Sequence, residues 1–234
     1  MVLEIGPGTG ILTAELLKTG ARVLAIEKDT RAVDLLRTKF LTECTSGKLN
    51  IVEGDVLDET HLSQLGLPGK PEDGRYALVA NIPYYITGAI LRKFLEGSPR
   101  PNRMVLLVQK EVAERIVARD GKESILSVSV KSFGKPRIIA TVPPGAFVPP
   151  PTVDSAILEI GEISAHTFDS RHIDIQKFFS IIHAGFAHKR KFAIRNLEAV
   201  IPREKLLEIW RKYSIPEKIR SEDMLLASWF DICE

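Results

Sequence analysis

A short apolar run near the start of the sequence leads directly into closely spaced glycines. Residues 2–5 are apolar except for Glu4, and Gly6-Pro7-Gly8-Thr9-Gly10 follows directly. From Ile11 onward, leucines recur at helical spacing. Glycines between a strand and a helix let the backbone approach a ligand, and the helix offers free amide groups and the positive end of its dipole. The segment therefore predicts a strand, a ligand-binding loop and a helix.

This pattern of apolar strand followed by helix is repeated along the chain, which indicates an α/β fold with a mostly parallel sheet. Seven strands are predicted, at residues 2–5, 23–26, 49–52, 77–80, 104–108, 138–142 and 156–160. After residue 162 the strand pattern stops, and helices are predicted at residues 173–186, 192–200 and 204–213. We therefore expect a sheet domain over residues 1–162 and a small all-helical domain over residues 163–234.

The glycine spacing argues against a dinucleotide, because the third glycine of that fingerprint would fall where Ile11 stands. Glu27 and Asp55 end the second and third strands, where open α/β sheets bind their ligands. Glu27 is placed to accept hydrogen bonds from a ribose, or else to pair with Lys28 or Arg31. Asp55 is placed to face an adenine amine, or else to cap the turn at Val56.

Glu4 lies inside the first strand, where a carboxyl group is costly to bury without loop amides or a cationic ligand as partner. Because carboxylates repel phosphates, a sulfonium cofactor fits these three acids better than a pyrophosphate one.

The segment Asn81-Ile82-Pro83-Tyr84 follows the fourth strand and carries the residue types needed to methylate an aromatic amine. The lone pair of such an amine is delocalised into its ring. Acceptors at Asn81 and at the Ile82 carbonyl would draw the nitrogen toward tetrahedral geometry, and positioning would then supply most of the rate. Pro83 restricts the backbone, and Tyr84 offers a face for base stacking. The alternative is an ordinary turn, since Asn and Pro are both common in turns.

A second stacking candidate is Phe147, in the proline-rich loop of residues 143–151. It could cover the other face of a base that is turned out of its helix. The alternative is an aromatic side chain that fills the core.

Basic residues concentrate late in the chain although the formal net charge of the 234 residues is only +2. The stretch from Phe186 to Arg220 contains ten Lys or Arg residues and only four Glu residues. Such a stretch attracts phosphate backbones or forms a solvated helix face. The candidates for RNA binding are Lys189, Arg190, Lys191 and Arg195.

Neither a metal site nor a membrane span is indicated by the sequence. Cys44 and Cys233 are the only two thiols and no histidines cluster, so neither a zinc site nor a disulfide framework is predicted. No apolar run approaches the roughly 20 residues of a membrane span. We expect a soluble protein.

Six segments together resemble the rRNA adenine dimethyltransferases and the related macrolide-resistance and mitochondrial transcription-factor proteins. They are residues 2–13, 25–29, 53–56, 79–84, 108–115 and 147–155. Residues 186–197 are similar to the basic aromatic segment that opens the family's C-terminal domain, although Lys189 and Phe192 differ from the arginine and threonine expected there. The resemblance implies a Rossmann-like class I methyltransferase fold.

The resemblance also implies a site. S-adenosylmethionine would contact Glu4, Gly6, Gly8, Glu27, Lys28, Asp55, Val56 and Asn81, and the target adenine would contact Asn81, Pro83, Tyr84 and Phe147. The implied reaction adds two methyl groups to the exocyclic amine of an adenine in small-subunit rRNA, within a pre-ribosomal particle. We expect a monomer in the cytoplasm, with a mitochondrion or plastid as the alternative.

Two departures from the family pattern are apparent. Family members begin some 25 to 45 residues earlier, with a basic segment that covers the cofactor, so we expect this chain to be truncated at its N-terminus and its activity to be affected. Tyr85 stands where a polar residue is common. The sequence leaves two alternatives open: a non-catalytic ribosome-assembly or transcription factor, and a resistance methyltransferase acting on large-subunit rRNA.

Overall fold

A computed structural model describes residues 1–68 and 75–234, and its centre is a seven-stranded sheet. The strands are β1 (Val2–Ile5), β2 (Val23–Glu27), β3 (Leu49–Glu53), β4 (Ala77–Asn81), β5 (Arg103–Gln109), β6 (Lys135–Val142) and β7 (Ser155–Gly161). Their order across the sheet is β3-β2-β1-β4-β5-β7-β6. The five strands from β3 to β5 in this order pair in parallel, and β7 runs antiparallel to β5.

This order places the carboxyl ends of β1 and β4 side by side. Glu4 pairs in register with Ala25 of β2 and with Val79 of β4. Strands β1, β2 and β3 follow one another toward one edge of the sheet, and β4 then lies on the opposite side of β1. The order of the strands therefore reverses between β1 and β4. Such a reversal point is where open α/β sheets form their ligand crevice.

Helices connect the strands of the sheet and form the regular structure after β7 in the described residues. Those before β6 are α1 (Ile11–Lys18), α2 (Thr30–Lys39), α3 (Leu41–Thr45), α4 (Glu59–Ser63), α5 (Thr87–Glu96), α6 (Lys110–Val117) and α7 (Ile125–Lys131). Those after β7 are α8 (His166–Ser170), α9 (Ile175–Gly185), α10 (Ala193–Leu197), α11 (Arg203–Lys212) and α12 (Leu226–Cys233).

The chain forms two compact units. The first comprises Met1–Ala113 and Arg137–Ile163, and the second comprises Glu114–Pro136 and Ser164–Glu234. Residues 114–136 thus cluster with the C-terminal helices, whereas the sequence assigns them to the sheet domain. The division into domains at residues 1–162 and 163–234 stays a prediction.

Each unit has its own apolar core. In the first unit, buried side chains of α2 pack on β2 and β3, and the cluster consists of Val23, Ala25, Val33, Leu36, Phe40, Leu49 and Ile51. In the second unit the core is aromatic. Phe168 stacks on Phe133 with ring centroids 4.9 Å apart and meets Phe178 edge-on at 5.1 Å. Ring pairs in these geometries stabilise a core beyond the burial of their area.

The predicted α/β class and the mostly parallel seven-stranded sheet are confirmed. Several helices were not predicted. In α7, Val128 and Val130 alternate with serines, which is the pattern of a strand. The helix starts at a capping box in which Ser124 and Ser127 exchange hydrogen bonds. A reciprocal cap of this kind satisfies amide groups that a helix start otherwise leaves unpaired. The short helices α3, α4 and α8 are too brief to show a period.

We expect Gly10→Ala to destabilise the protein by about 2–4 kcal/mol, through left-handed strain and overpacking. Gly10 has φ +76°, and a Cβ there would lie 2.6 Å from Phe40 Cε2 and 2.7 Å from Leu36 Cδ2. Gly20 is a matched control because it has φ +80° with nothing within 4 Å of an added Cβ. Gly20→Ala should cost about 1 kcal/mol. Equal losses in denaturant unfolding would show that the contact with α2 does not restrict Gly10.

Candidate active site

The glycine loop is held to the end of β2 by the carboxylate of Glu27. Its Oε2 accepts the backbone N–H of Gly8 at 3.0 Å, and its Oε1 accepts those of Lys28 and Asp29 at 2.7 and 2.9 Å. Arg31 pairs with Asp29 instead, at 3.0 Å. Glu27 therefore binds backbone N–H groups and pairs with neither the Lys28 nor the Arg31 side chain. Its carboxylate fixes the shape of the loop.

Gly6 and Gly8 keep one side of this loop open. Their φ angles are +64° and +55°, and an added Cβ at either position would meet nothing within 4 Å. Both therefore leave space for a ligand to approach the backbone, whereas Gly10 is closed off by α2.

Glu4 is a buried acid whose carboxyl group lies close to Thr13 but makes no hydrogen bond of standard geometry. Its residue is 1% exposed, and neither carboxyl oxygen has a partner among the described residues. The hydroxyl of Thr13, in α1, is also buried and unpartnered. Burial raises the pKa of Glu4 to about 7. The nearby hydroxyl and backbone N–H of Thr13 partly offset this rise, and the charge of Glu27 adds to it. The loop amides do not satisfy Glu4, so this carboxyl group is suited to a cationic ligand.

At the end of β3, Asp55 makes two contacts. Its Oδ1 accepts the backbone N–H of Leu57 at 2.9 Å, which is the turn-capping role left open by the sequence. Its Oδ2 pairs with the Lys28 ammonium at 3.0 Å. The Leu57 amide, and secondly Lys28, lower the pKa of Asp55, and the pair raises the pKa of Lys28. Val56 is buried beside them.

The amine-holding segment begins at Asn81, the last residue of β4, which is exposed at the carboxyl end of the sheet. Ile82 is buried, and Pro83 leads into a turn of 3₁₀ helix over Tyr84–Ile86. The half-buried Tyr84 shares a hydrogen bond with Ser155, 2.6 Å between Oη and Oγ. The ring of Tyr84 is therefore fixed at its far end, whereas the neighbouring Tyr85 is 87% exposed.

Phe147 lies in the loop that leads to this same Ser155. It is partly exposed, which does not support the alternative of an aromatic that fills the core. The end of the loop is anchored by Asp154, whose backbone carbonyl accepts the Lys110 N–H at 3.0 Å and whose carboxylate pairs with the Lys110 ammonium at 3.2 Å. The structure thus joins the proline-rich loop and the segment 81–84 through the start of β7.

In the second unit, the basic residues Lys189, Arg190 and Lys191 are exposed in the connection between α9 and α10, and none forms an ion pair with a described residue. Arg195 differs because it pairs with Glu198 at 3.3 Å. The buried Asn196 amide donates to the carbonyls of Gly185 and His188, at 2.6 and 3.1 Å, and so holds the connection.

Sequence reasoning missed the side chains that support these residues. Thr13, Ser155, His61 and Lys93 were not singled out. A hydroxyl facing a buried acid, or a contact across 71 residues of chain, leaves no local pattern in the sequence. Within residues 1–68 and 75–234, no helix is long and apolar enough to cross a bilayer, and no group of three or more His, Cys, Asp or Glu side chains could hold a metal ion.

Known proteins are similar to this chain in sequence and in fold. The family model for ribosomal RNA adenine dimethylase matches residues 1–234. A ribosomal RNA small subunit methyltransferase A of Dehalococcoides mccartyi (strain CBDB1) is 39% identical over 99% of this chain and 77% of its own length. A dimethyladenosine transferase from Plasmodium falciparum has a similar structure, with a TM-score of 0.77, 27% identity and coverage of 99% of this chain and 87% of that one.

A 23S rRNA methyltransferase, ErmE, shares the fold with a TM-score of 0.70 over 99% of this chain and 88% of that one, at 24% identity. This likeness concerns the fold alone. The family model spans every residue of the chain, and the sequence relative covers nearly all of it. The chain therefore belongs to the ribosomal RNA adenine dimethylase family.

Proposed function

We propose that this protein dimethylates the exocyclic amine of adenines in small-subunit rRNA, with S-adenosylmethionine as methyl donor. The observation that carries the proposal is the juxtaposition of two groups on adjacent parallel strands. Asn81, an acceptor for an amine, ends β4, and Glu4, a buried acid without a partner, lies in the adjacent β1. An amine holder beside a site for a cation is what methyl transfer from a sulfonium requires.

The residues present fit the cofactor. The open side of Gly6 and Gly8 allows a ligand to reach the loop backbone, and the orphaned Glu4 carboxylate matches a cationic group. We place the ribose at Glu27, and the adenine beside Lys28, Asp55 and Val56. Glu27 would act in two ways, since it also holds the Gly8 amide.

When bound, S-adenosylmethionine supplies an electrophilic methyl group. The protein's part is to present the amine. The side-chain carbonyl of Asn81 and the backbone carbonyl of Ile82 accept the two N–H groups, so the nitrogen lone pair is no longer shared with the ring and points at the methyl carbon. A strong general base is unnecessary because the amine proton becomes acidic once the nitrogen carries positive charge. Positioning and electrostatics supply most of the rate.

Tyr84 and Phe147 are proposed as the two stacking faces for the base. Stacking on an aromatic side chain contributes roughly 1–3 kcal/mol per base. The hydrogen bond between the Tyr84 and Ser155 hydroxyl groups supports this role because it holds the ring in one orientation. Pro83 has φ −55° and ψ 133°, an extended conformation that turns the chain from the strand into the Tyr84 turn.

The proposed partner is the pre-ribosomal small subunit, bound in part through Lys189, Arg190, Lys191 and Arg195. A monomer suffices because the proposed site uses residues of one chain. The protein would act where small subunits are assembled, in the cytoplasm or in a mitochondrion or plastid.

The direct test is transfer of labelled methyl groups to immature small subunits that lack the modification. We expect dimethyladenosine in their rRNA by nucleoside mass spectrometry and little transfer to large subunits. Transfer to large subunits alone would favour the resistance activity. A protein that binds these particles but not S-adenosylmethionine would be a non-catalytic assembly factor.

Binding to rRNA should depend on salt through the exposed basic connection. Replacing Lys189, Arg190 and Lys191 together with alanine is expected to reduce the slope of log affinity against log salt by about 2–3, because each phosphate contact releases roughly one counterion. A triple alanine variant of Lys18, Arg37 and Lys48, which are also exposed, is the charge-matched control. Equal slopes for the two variants in filter-binding titrations would show that residues 189–191 are only a solvated surface.

A further inference from the structure

His61 contacts the segment that leads from β3 to α4 at two points. Its Nδ1 accepts the backbone N–H of Asp55 at 3.2 Å. Its ring lies against Gly54, where an added Cβ would come within 2.5 Å of His61 Cγ. Only glycine at position 54 admits the ring this closely. The imidazole therefore fixes the backbone of the residues to which we assign the cofactor's adenine.

Charged side chains surround this contact. Asp58, which caps α4, places Oδ2 3.7 Å from His61 Nδ1. From α5, the Lys93 ammonium donates to the Leu57 carbonyl at 3.0 Å and pairs with Glu59. Lys28, after β2, pairs with the Asp55 carboxylate. The segment is thus held from both sides. His61 accepts the Asp55 N–H, whereas the Asp55 carbonyl accepts the Asp58 N–H at 3.0 Å.

The hydrogen bond to Asp55 requires a neutral imidazole. A histidine accepts only at an unprotonated ring nitrogen, and both nitrogens donate once the ring is charged. A protonated Nδ1 would face the Asp55 N–H, donor against donor, while the Asp58 carboxylate lies nearby as an acceptor. Protonation of His61 therefore breaks its hydrogen bond with the Asp55 N–H and favours a contact with the Asp58 carboxylate.

We propose that His61 is the positioning residue for the adenine end of the cofactor site, and that its protonation releases the Asp55 backbone and weakens nucleoside binding. This inference rests on the proposed function, since it assigns the adenine to Asp55 and Val56.

Methylthioadenosine is a suitable probe because it carries the adenine and ribose but neither the sulfonium nor the amino acid. The Glu4 carboxylate then has no ligand charge to attract, and its titration acts on the probe only through its coupling to Glu27, which is the same in the His61 variants. For the unaltered protein we expect calorimetric affinity for methylthioadenosine to fall about 3- to 10-fold between pH 7.5 and pH 5.5, the fold-change of one lost hydrogen bond.

Two substitutions separate positioning from bulk structure. In His61→Asn the side-chain oxygen can occupy the place of Nδ1 and cannot be protonated, so we expect affinity close to that of the unaltered protein at pH 7.5 and no loss at pH 5.5. His61→Ala removes the acceptor and should bind about 3- to 10-fold more weakly at both pH values. His166→Asn, at an exposed histidine in the second unit, is the matched control and should keep the original pH profile.

The outcomes are distinguishable. Retention of the acid-induced loss in His61→Asn, or unchanged binding in a folded His61→Ala, would overturn the role of His61 while leaving the proposed function standing. Failure of the unaltered protein to bind either S-adenosylmethionine or methylthioadenosine would overturn both. Thermal unfolding of each variant shows whether it is folded. If His61→Ala does not fold, the pH dependence of binding in His61→Asn alone tests the role of His61.

Discussion

Replacing Asn81 with alanine is expected to lower the single-turnover rate of methyl transfer by about 10²–10³-fold, the usual effect of removing one preorganised polar group at a reacting centre. Without the side-chain carbonyl, one amine N–H has no acceptor and the nitrogen lone pair stays delocalised in the adenine ring. Asn81 is exposed at the end of β4, so its truncation leaves no cavity in the core. The fold should therefore be unchanged.

The measurement uses saturating S-adenosylmethionine and immature small subunits, so that the rate reports the chemical step. Asn50→Ala is a suitable control because Asn50 is also exposed on a strand of the same sheet, in β3, and has no part in the proposed site. A loss in Asn81→Ala that disappears at higher cofactor concentration would indicate that Asn81 only binds the cofactor. Undiminished transfer would refute its role as amine holder.

The sheet and the glycine loop could be predicted from the sequence because their signals are local. An apolar run such as 23–26 is visible in the residues themselves, and closely spaced glycines directly after a first strand are typical of a ligand-binding loop. Strand ends were predicted within a few residues. Asn81 and Glu27, placed just beyond the predicted runs, are the final residues of β4 and β2.

The rest of the site depends on contacts that only the folded chain creates. Thr13 comes close to Glu4 because the glycine loop turns the chain from β1 into α1. Ser155 meets Tyr84 because β7 inserts next to β5 in antiparallel orientation. Helix α4 is 5 residues long, too short for a periodic signal, so His61 could not be placed against Gly54. In each case the sequence singles out a proposed site residue by its type, and it gives no sign of the side chain that supports this residue in the fold.

Glu4 is expected to lower the stability of the empty protein while it strengthens cofactor binding. Burial raises its pKa from 4.5 to about 7, so the folded chain keeps a proton that the unfolded chain releases. The contribution of Glu4 to the free energy of unfolding therefore falls as the pH rises from about 4.5 to about 7. It stays at its low value at higher pH. A shift of this size corresponds to a penalty on the order of 3 kcal/mol. Above neutral pH, however, the ionised carboxylate attracts a cationic ligand.

Glu4→Gln should therefore have opposite effects on the two properties. Since glutamine cannot ionise, the variant's unfolding free energy without ligand should exceed that of the original protein at pH 8 by about 3 kcal/mol and match it more closely near pH 4.5. Its affinity for S-adenosylmethionine at pH 8 should fall about 10- to 100-fold, through the lost charge pairing, while methylthioadenosine binds as before. Glu15→Gln, at an exposed acid of α1, should change neither property. If Glu4→Gln bound both ligands normally, the buried carboxylate would not be the partner of the cofactor's cation, and the cost of its burial would serve no purpose in cofactor binding.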